Sequence, residues 1–241
     1  MRSFASRLNI GLLRSSNQDQ VLIAHKNQST LLLVCDGMGG AKAGEVASAL
    51  ALKHFEAVFK KSKLQEDQYQ DWLYENIHEA NQKILEASNQ NPNYQGMGTT
   101  LVAALIGKTS VVIANVGDSR AYAFIENKLV QISDDHSLVN DLIKQNKITA
   151  LEAKTHPQRS VLTQVLGVVS DFKVDFFTLD EKIEGILLCS DGLHGMLSDE
   201  EIESILTQNS QAEKNANALE KAALDRGAYD NIAIALMRQK Q

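Results

Sequence analysis

The chain has 241 residues, with 24 Lys+Arg against 30 Asp+Glu for a formal charge of -6, and 44% of it is hydrophobic. A chain of that length and apolar content can bury roughly 70–75% of its unfolded surface, so no metal or disulfide is needed to hold the fold. The acidic balance, with no basic block longer than Lys60-Lys61, argues against a nucleic-acid-binding face, and no apolar run approaches the roughly 20 residues of a membrane span.

The first residues, Met1 to Arg7, are polar and lack the apolar core of a signal peptide. Cys35 and Cys189 lie inside apolar runs without CxxC spacing, which reads as buried reduced thiols and a cytoplasmic location. Strand-like runs come first, at 4–10, 20–24 and 29–35. Helical periodicity follows at 44–61, where Val46, Leu50, His54, Ala57 and Val58 form one stripe. It returns at 69–88, with Trp72, Leu73, Ile77, Ala80, Ile84 and Leu85 as a second, core-facing stripe. Asn91-Pro92-Asn93-Tyr94 breaks the pattern as a loop.

Strands resume at 99–106, 110–116, 121–125 and 128–132, and a polar, helical or irregular segment spans about 137–160. The remaining chain reads as strands at 173–178 and 185–189, helices at 198–208 and 212–225, and a last strand at 231–237. No linker or fixed-period repeat divides the chain, so residues 1–241 are expected to form one domain. Strands arrive in groups and helices in pairs, which favours an α+β architecture of antiparallel sheets covered by helices.

The chemistry concentrates where the most hydrophobic strands end. Leu31-Leu32-Leu33-Val34-Cys35 runs into Asp36-Gly37-Met38-Gly39-Gly40, and Ile186-Leu187-Leu188-Cys189-Ser190 runs into Asp191-Gly192. Val116 precedes Gly117-Asp118-Ser119-Arg120, and Asp230-Asn231 opens the final strand. One Asp-Gly after an apolar run is most often a turn. Four Asp at strand mouths are better explained together, because buried carboxylates are costly unless paired or metal-bound and few Lys or Arg lie beside them. Oxygen donors without His or Cys partners suit Mg²⁺ or Mn²⁺, and two such ions could share a bridging carboxylate. Gly37 would let the backbone turn sharply and offer its carbonyl as a further ligand. A binuclear site of this kind activates water for in-line phosphoryl hydrolysis. Gly37, Gly39, Gly40 and Gly44 have neither P-loop nor Rossmann spacing, so no nucleotide cofactor is expected.

Arg14-Ser15-Ser16-Asn17-Gln18-Asp19, Asp36-Gly37-Met38-Gly39-Gly40 with Gly44-Glu45, Met97-Gly98-Thr99-Thr100, Val116-Gly117-Asp118-Ser119-Arg120-Ala121-Tyr122, Asp135-His136-Ser137, Ser190-Asp191-Gly192 and Asp230-Asn231 occur in that order. Together they resemble the metal-dependent protein phosphatases of the 2C type (the PPM family) in their compact bacterial form, over nearly the whole chain. The resemblance implies two packed antiparallel sheets flanked by helix pairs, a four-layer α-β-β-α sandwich. It also implies hydrolysis of phosphoserine and phosphothreonine in proteins, opposing a serine/threonine kinase.

Carried over residue by residue, the resemblance makes Asp36 a bridge between two core ions and places Asp191 and Asp230 on the first. The Gly37 carbonyl would complete the second, and Asp118 with Asp191 would hold a third, weaker ion. Arg14 would bind the substrate phosphate through its guanidinium fork, with Asp19 and Asn231 behind the ligands. The segment at about 137–160 matches the family's flap. Phosphorylated proteins are the implied partners of a monomer that binds neither nucleic acid nor membrane.

Departures from the family pattern are Gln18 before Asp19, Met38 where eukaryotic relatives carry a His acting as general acid, Ala41, and Asn9. Gln18 and Met38 are the only hints of an alternative, a phosphatase-fold module that binds phosphorylated partners without turnover. No core carboxylate is missing. A stress-response phosphatase dedicated to one regulatory partner usually brings sensory domains, for which 241 residues leave no room. His136 and His194 read as structural by default.

Overall fold

The computed structural model describes residues 1–39, 43–180 and 183–239, so Gly40 and Ala41 lie outside the described residues. Apolar runs bounded by polar turns form β1 (Arg2–Asn9), β2 (Asp19–Lys26), β3 (Ser29–Met38), β4 (Gly98–Thr99), β5 (Leu101–Ile106) and β6 (Ser110–Val116). They also form β7 (Arg120–Ile125), β8 (Lys128–Gln131), β9 (Asp175–Asp180), β10 (Gly185–Cys189) and β11 (Ile232–Gln239). One antiparallel sheet has the order β1-β11-β10-β7-β8 and the other β2-β3-β5-β6-β9, with β4 paired to β3.

The helices are α1 (Ala43–Lys61), α2 (Tyr69–Gln90), α3 (Leu138–Lys144), α4 (Ala150–Thr155), α5 (Asp191–His194), α6 (Asp199–Gln208) and α7 (Ala212–Asp225). α1 and α2 cover one sheet, and α6 and α7 cover the other. The expected α-β-β-α sandwich is therefore the observed one.

Period-two alternation explains both buried layers. On β3, Leu31, Leu33 and Cys35 pack under α1 and α2, while Leu32 and Val34 face the opposite sheet. On β10, Leu187 and Cys189 face α6 and α7, and Ile186 and Leu188 meet the other sheet. Cys35 and Cys189 thus lie in different layers, buried and free, as their spacing suggests.

The α1 stripe is shifted from its expected place. Ala47, Ala51, Phe55 and Phe59 are buried, whereas Val46, Leu50 and Val58 are half-buried and Ala57 is exposed. Small alanines let the helix axis approach the sheet closely, so the side chains of greatest hydrophobicity need not mark the line of contact. The last strand before β10 starts at Asp175, two residues later than its sequence pattern suggests.

The polar segment at 137–160 contains α3, with no fully buried residue, and α4, anchored only by Ala153. Both are held by their caps: Ser137 accepts from Asn140 N at 3.3 Å, and Thr149 and Glu152 form a reciprocal capping box.

Because Leu32 is fully buried between the sheets, Leu32→Ala is expected to destabilise the fold by about 3 kcal/mol. Urea unfolding should show this as a lower midpoint at unchanged slope.

Candidate active site

The row of β3 side chains that faces the opposite sheet continues from Leu32 and Val34 to Asp36, just where the hydrophobic layer ends. Asp19 stands opposite Asp36 in the β2–β3 register. From the other sheet, Ser190 follows Leu188 on the same parity and donates its hydroxyl to Asp19 Oδ2 at 2.6 Å, joining the two sheets at their mouth. The Asp36 carboxyl interacts with those of Asp19 and Asp191. Asp191 opens α5, and Arg14 Nη2 lies 2.6 Å from Asp230 Oδ2. Asp118 joins the cluster through charge, raising Asp36 and being raised by Asp191.

The electrostatics follow from placing like charges at low dielectric. Burial first, then the charges of Asp19, Asp191, Asp118 and Asp230, hold Asp36 well above the usual carboxylate range. Burial is also the largest cause that pushes Asp19 and Asp118 up to about 7 and Asp191 to about 6. Ser190 opposes the shift at Asp19, and Asp36 and Arg14 oppose it at Asp191. Arg14, bonded to Asp230, is held more firmly protonated than usual.

Neutral side chains set the geometry. The Asp36 amide donates to Thr100 Oγ1 at 2.9 Å, and the Asp36 carbonyl accepts from Thr100 N and from Thr99 Oγ1, each at 2.9 Å. Thr100 Oγ1 in turn meets Ser119 Oγ at 2.7 Å, beside Asp118. A Cβ on Gly37 would collide with the main-chain oxygens of Gly44 and Gln18, so glycine is needed where α1 and the β2 entry close around β3.

Asn231 engages its amide entirely with backbone, accepting from Gln18 N at 2.8 Å and donating to Ile10 O at 2.8 Å and Ser16 O at 3.1 Å. It fastens the Arg14 loop to β11. Asn9 likewise bonds Glu220 Oε1 and accepts from Gly11 N, both at 2.9 Å, which accounts for a residue that the sequence left without a role.

The histidines are structural. His136 accepts from Gly117 N at 3.2 Å and bonds Asp175 Oδ2 at 3.0 Å, holding the turn before Asp118. His194 Nε2 donates to the Asp118 carbonyl at 3.1 Å, and burial with nearby Arg120 depresses its pKa to about 3, so it stays neutral. Thr99, Thr100, Ser119 and Ser190 were visible only as parts of motifs. Their hydroxyls carry no sequence signal until the sheets bring them to their partners.

Among the described residues no three His, Cys, Asp or Glu side chains form a ready cage for an ion. Arg14 is paired with Asp230 at the same mouth. The donor set nevertheless fits a hard divalent cation: every candidate ligand is an oxygen, and Asp191 Oδ1 is buried with no hydrogen-bond partner.

Residues 14–226 match the family model described as protein phosphatase 2C. The chain belongs to that family. The serine/threonine phosphatase stp of Listeria monocytogenes is 35% identical over 237 residues, covering 97% of this chain and 94% of that protein. The crystal structure of Stp1 from Staphylococcus aureus superposes with a TM-score of 0.94 at 38% identity, covering 100% of this chain and 96% of the other. The catalytic domain of the serine/threonine protein phosphatase PstP, in complex with two manganese ions, gives 0.88 at 30% identity over 98% and 97% of the two chains.

The raised carboxyls of this family member make its stability depend on pH. The folded state keeps protons that the unfolded chain, with carboxyls at 3.8, has already released. That stability is fully present below about pH 4 and is lost as pH rises through the folded values. His194 and His54, depressed below 6.5, act in the opposite sense, but only up to the unfolded histidine value. In chelator, the melting temperature is therefore expected to fall between about pH 6.5 and 8. Calorimetry showing a rise over that window would contradict the protonated cluster.

Proposed function

We propose that the chain is a metal-dependent phosphatase of phosphoserine and phosphothreonine in proteins, and that Asp36, Asp191 and Asp230 with the Gly37 carbonyl hold two Mn²⁺ or Mg²⁺ ions. The observation that carries this reading is the convergence of Asp36, Asp191 and Asp230 on one mouth of the sandwich, with Asp191 Oδ1 buried and unpartnered and Arg14 beside Asp230. Asp118 would complete a third, weaker position with Asp191. Divalent ions held there would supply an activated water and neutralise the phosphoryl oxygens.

The protein's own contributions follow from its contacts. Arg14, half exposed and among the described residues tied to Asp230 alone, can turn its fork to two oxygens of an incoming phosphate. Ser190 holds the Asp19 carboxylate and Thr100 the Asp36 backbone, which fixes where the two side chains start. Met38 has no proton to give, so the leaving alkoxide takes its proton from another group.

The whole chain would act as one phosphatase domain with residues 137–160 as its flap, working as a cytoplasmic monomer opposite a serine/threonine kinase. Among the described residues no helix is long and apolar enough to cross a membrane.

A phosphothreonine peptide should be hydrolysed with Mn²⁺ and not with chelator. Asp191→Ala or Asp36→Asn should lower kcat by at least about 10³, and calorimetry should show lost Mn²⁺ binding. Arg14→Ala should mainly raise KM, lowering kcat/KM by about 10²-fold while Mn²⁺ affinity is kept. Full activity in Asp191→Ala, or turnover without metal, would sink the mechanism.

A further inference from the structure

Beside the carboxylate mouth lies a short apolar strip that the chemistry above does not use. Met38, Val168 and Val169 are 37%, 47% and 48% exposed. Met38 Cγ and Val168 Cγ2 lie 3.5 and 3.2 Å from the point that a Cβ on Gly98 would occupy, so the two side chains sit side by side over that glycine.

The loop that presents the valines is rigidly built. Leu166 exchanges two backbone hydrogen bonds with Thr99, at 2.9 and 3.0 Å. Buried Asn81 on α2 clamps the loop from below, accepting from Gly167 N at 2.6 Å and donating to Val169 O at 2.9 Å. Gly167 has φ +90°, and a Cβ there would strike Ile84. Residues 160–170 carry no charged side chain at all.

The strip is continuous with the mouth. Asp36 and Met38 share one face of β3, two residues or about 7 Å apart, which is the reach of one or two residues of extended peptide. Thr99 ties both ends together, bonding the Asp36 carbonyl with its hydroxyl and Leu166 with its backbone. A polypeptide whose phosphorylated residue enters the mouth and runs along β3 would lay its neighbouring side chains against this strip.

We infer that Met38 and Val168 form a specificity shelf for an aliphatic side chain flanking the phosphorylated residue of the substrate protein. This rests on the phosphatase reading above. The shelf selects by burying apolar surface on both partners, and it does nothing for a substrate without flanking residues.

The test compares 4-nitrophenyl phosphate with two phosphothreonine peptides that differ only in carrying Leu or Ser on both sides of the phosphorylated residue. The wild type should favour the Leu peptide by about tenfold in kcat/KM, mainly through KM. Val168→Ser should cut that preference to about two- to threefold and leave 4-nitrophenyl phosphate hydrolysis unchanged. Val168→Thr, which keeps the branched shape, should weaken the preference in the same direction. Equal rates for the two peptides in the wild type, or an undiminished preference in both variants, would overturn the shelf. If no substrate is hydrolysed, the phosphatase reading fails by itself. Fluorescence anisotropy of the same two peptides then decides the shelf separately, equal affinities overturning it.

Discussion

A carboxylate lodged between two β-sheets is stable only in the company of a proton, an arginine or a metal ion, and this fold gathers several of them at one opening. Asp36, Asp19, Asp191 and Asp118 repel one another at low dielectric, and burial raises the affinity of each for a proton. The same repulsion makes the cluster a strong attractor of divalent charge. A chain with a formal charge of -6 can thereby handle a phosphate: its excess negative charge is partly concentrated where cations would reverse it.

The sandwich is organised so that its strength lies away from this opening. Three apolar layers, one between the sheets and one beneath each helix pair, provide a rigid frame. Neutral side chains carry the geometry from that frame to the site: Ser190 to the Asp19 carboxylate, Thr100 to the Asp36 backbone, His194 to the Asp118 carbonyl, and Asn231 to the Arg14 loop. Neutral groups suit this task because they donate or accept without adding charge to a crowded site. The Asn81 clamp repeats the device at the rim, where a buried amide leaves two valines facing solvent.

Much of this was legible from local pattern. The Asp-terminated ends of β3 and β10 marked the site, whereas their uninterrupted apolar runs could not say which side chains face the helices and which the opposite sheet. The α1 stripe was less legible, because Ala47 and Ala51 line the contact while bulkier Val46 and Leu50 sit beside it. Hydrophobicity reports how much a side chain gains from burial, whereas helix packing also rewards the small residue at the point of closest approach. The short elements β4 and α5 left no periodic signal, since two and four residues are too few to show one.

The sequence by itself determined the α+β class, the paired helices and the identity of the carboxylates at the strand mouths, because these depend on residue type and short-range order. Only the tertiary structure decided which groups meet. Ser190 bonds Asp19 across 171 residues, and Arg14 reaches Asp230 across 216. A hydroxyl or a guanidinium has the same composition wherever it lies, and its role is set by the partner that the packed sheets bring within hydrogen-bonding distance.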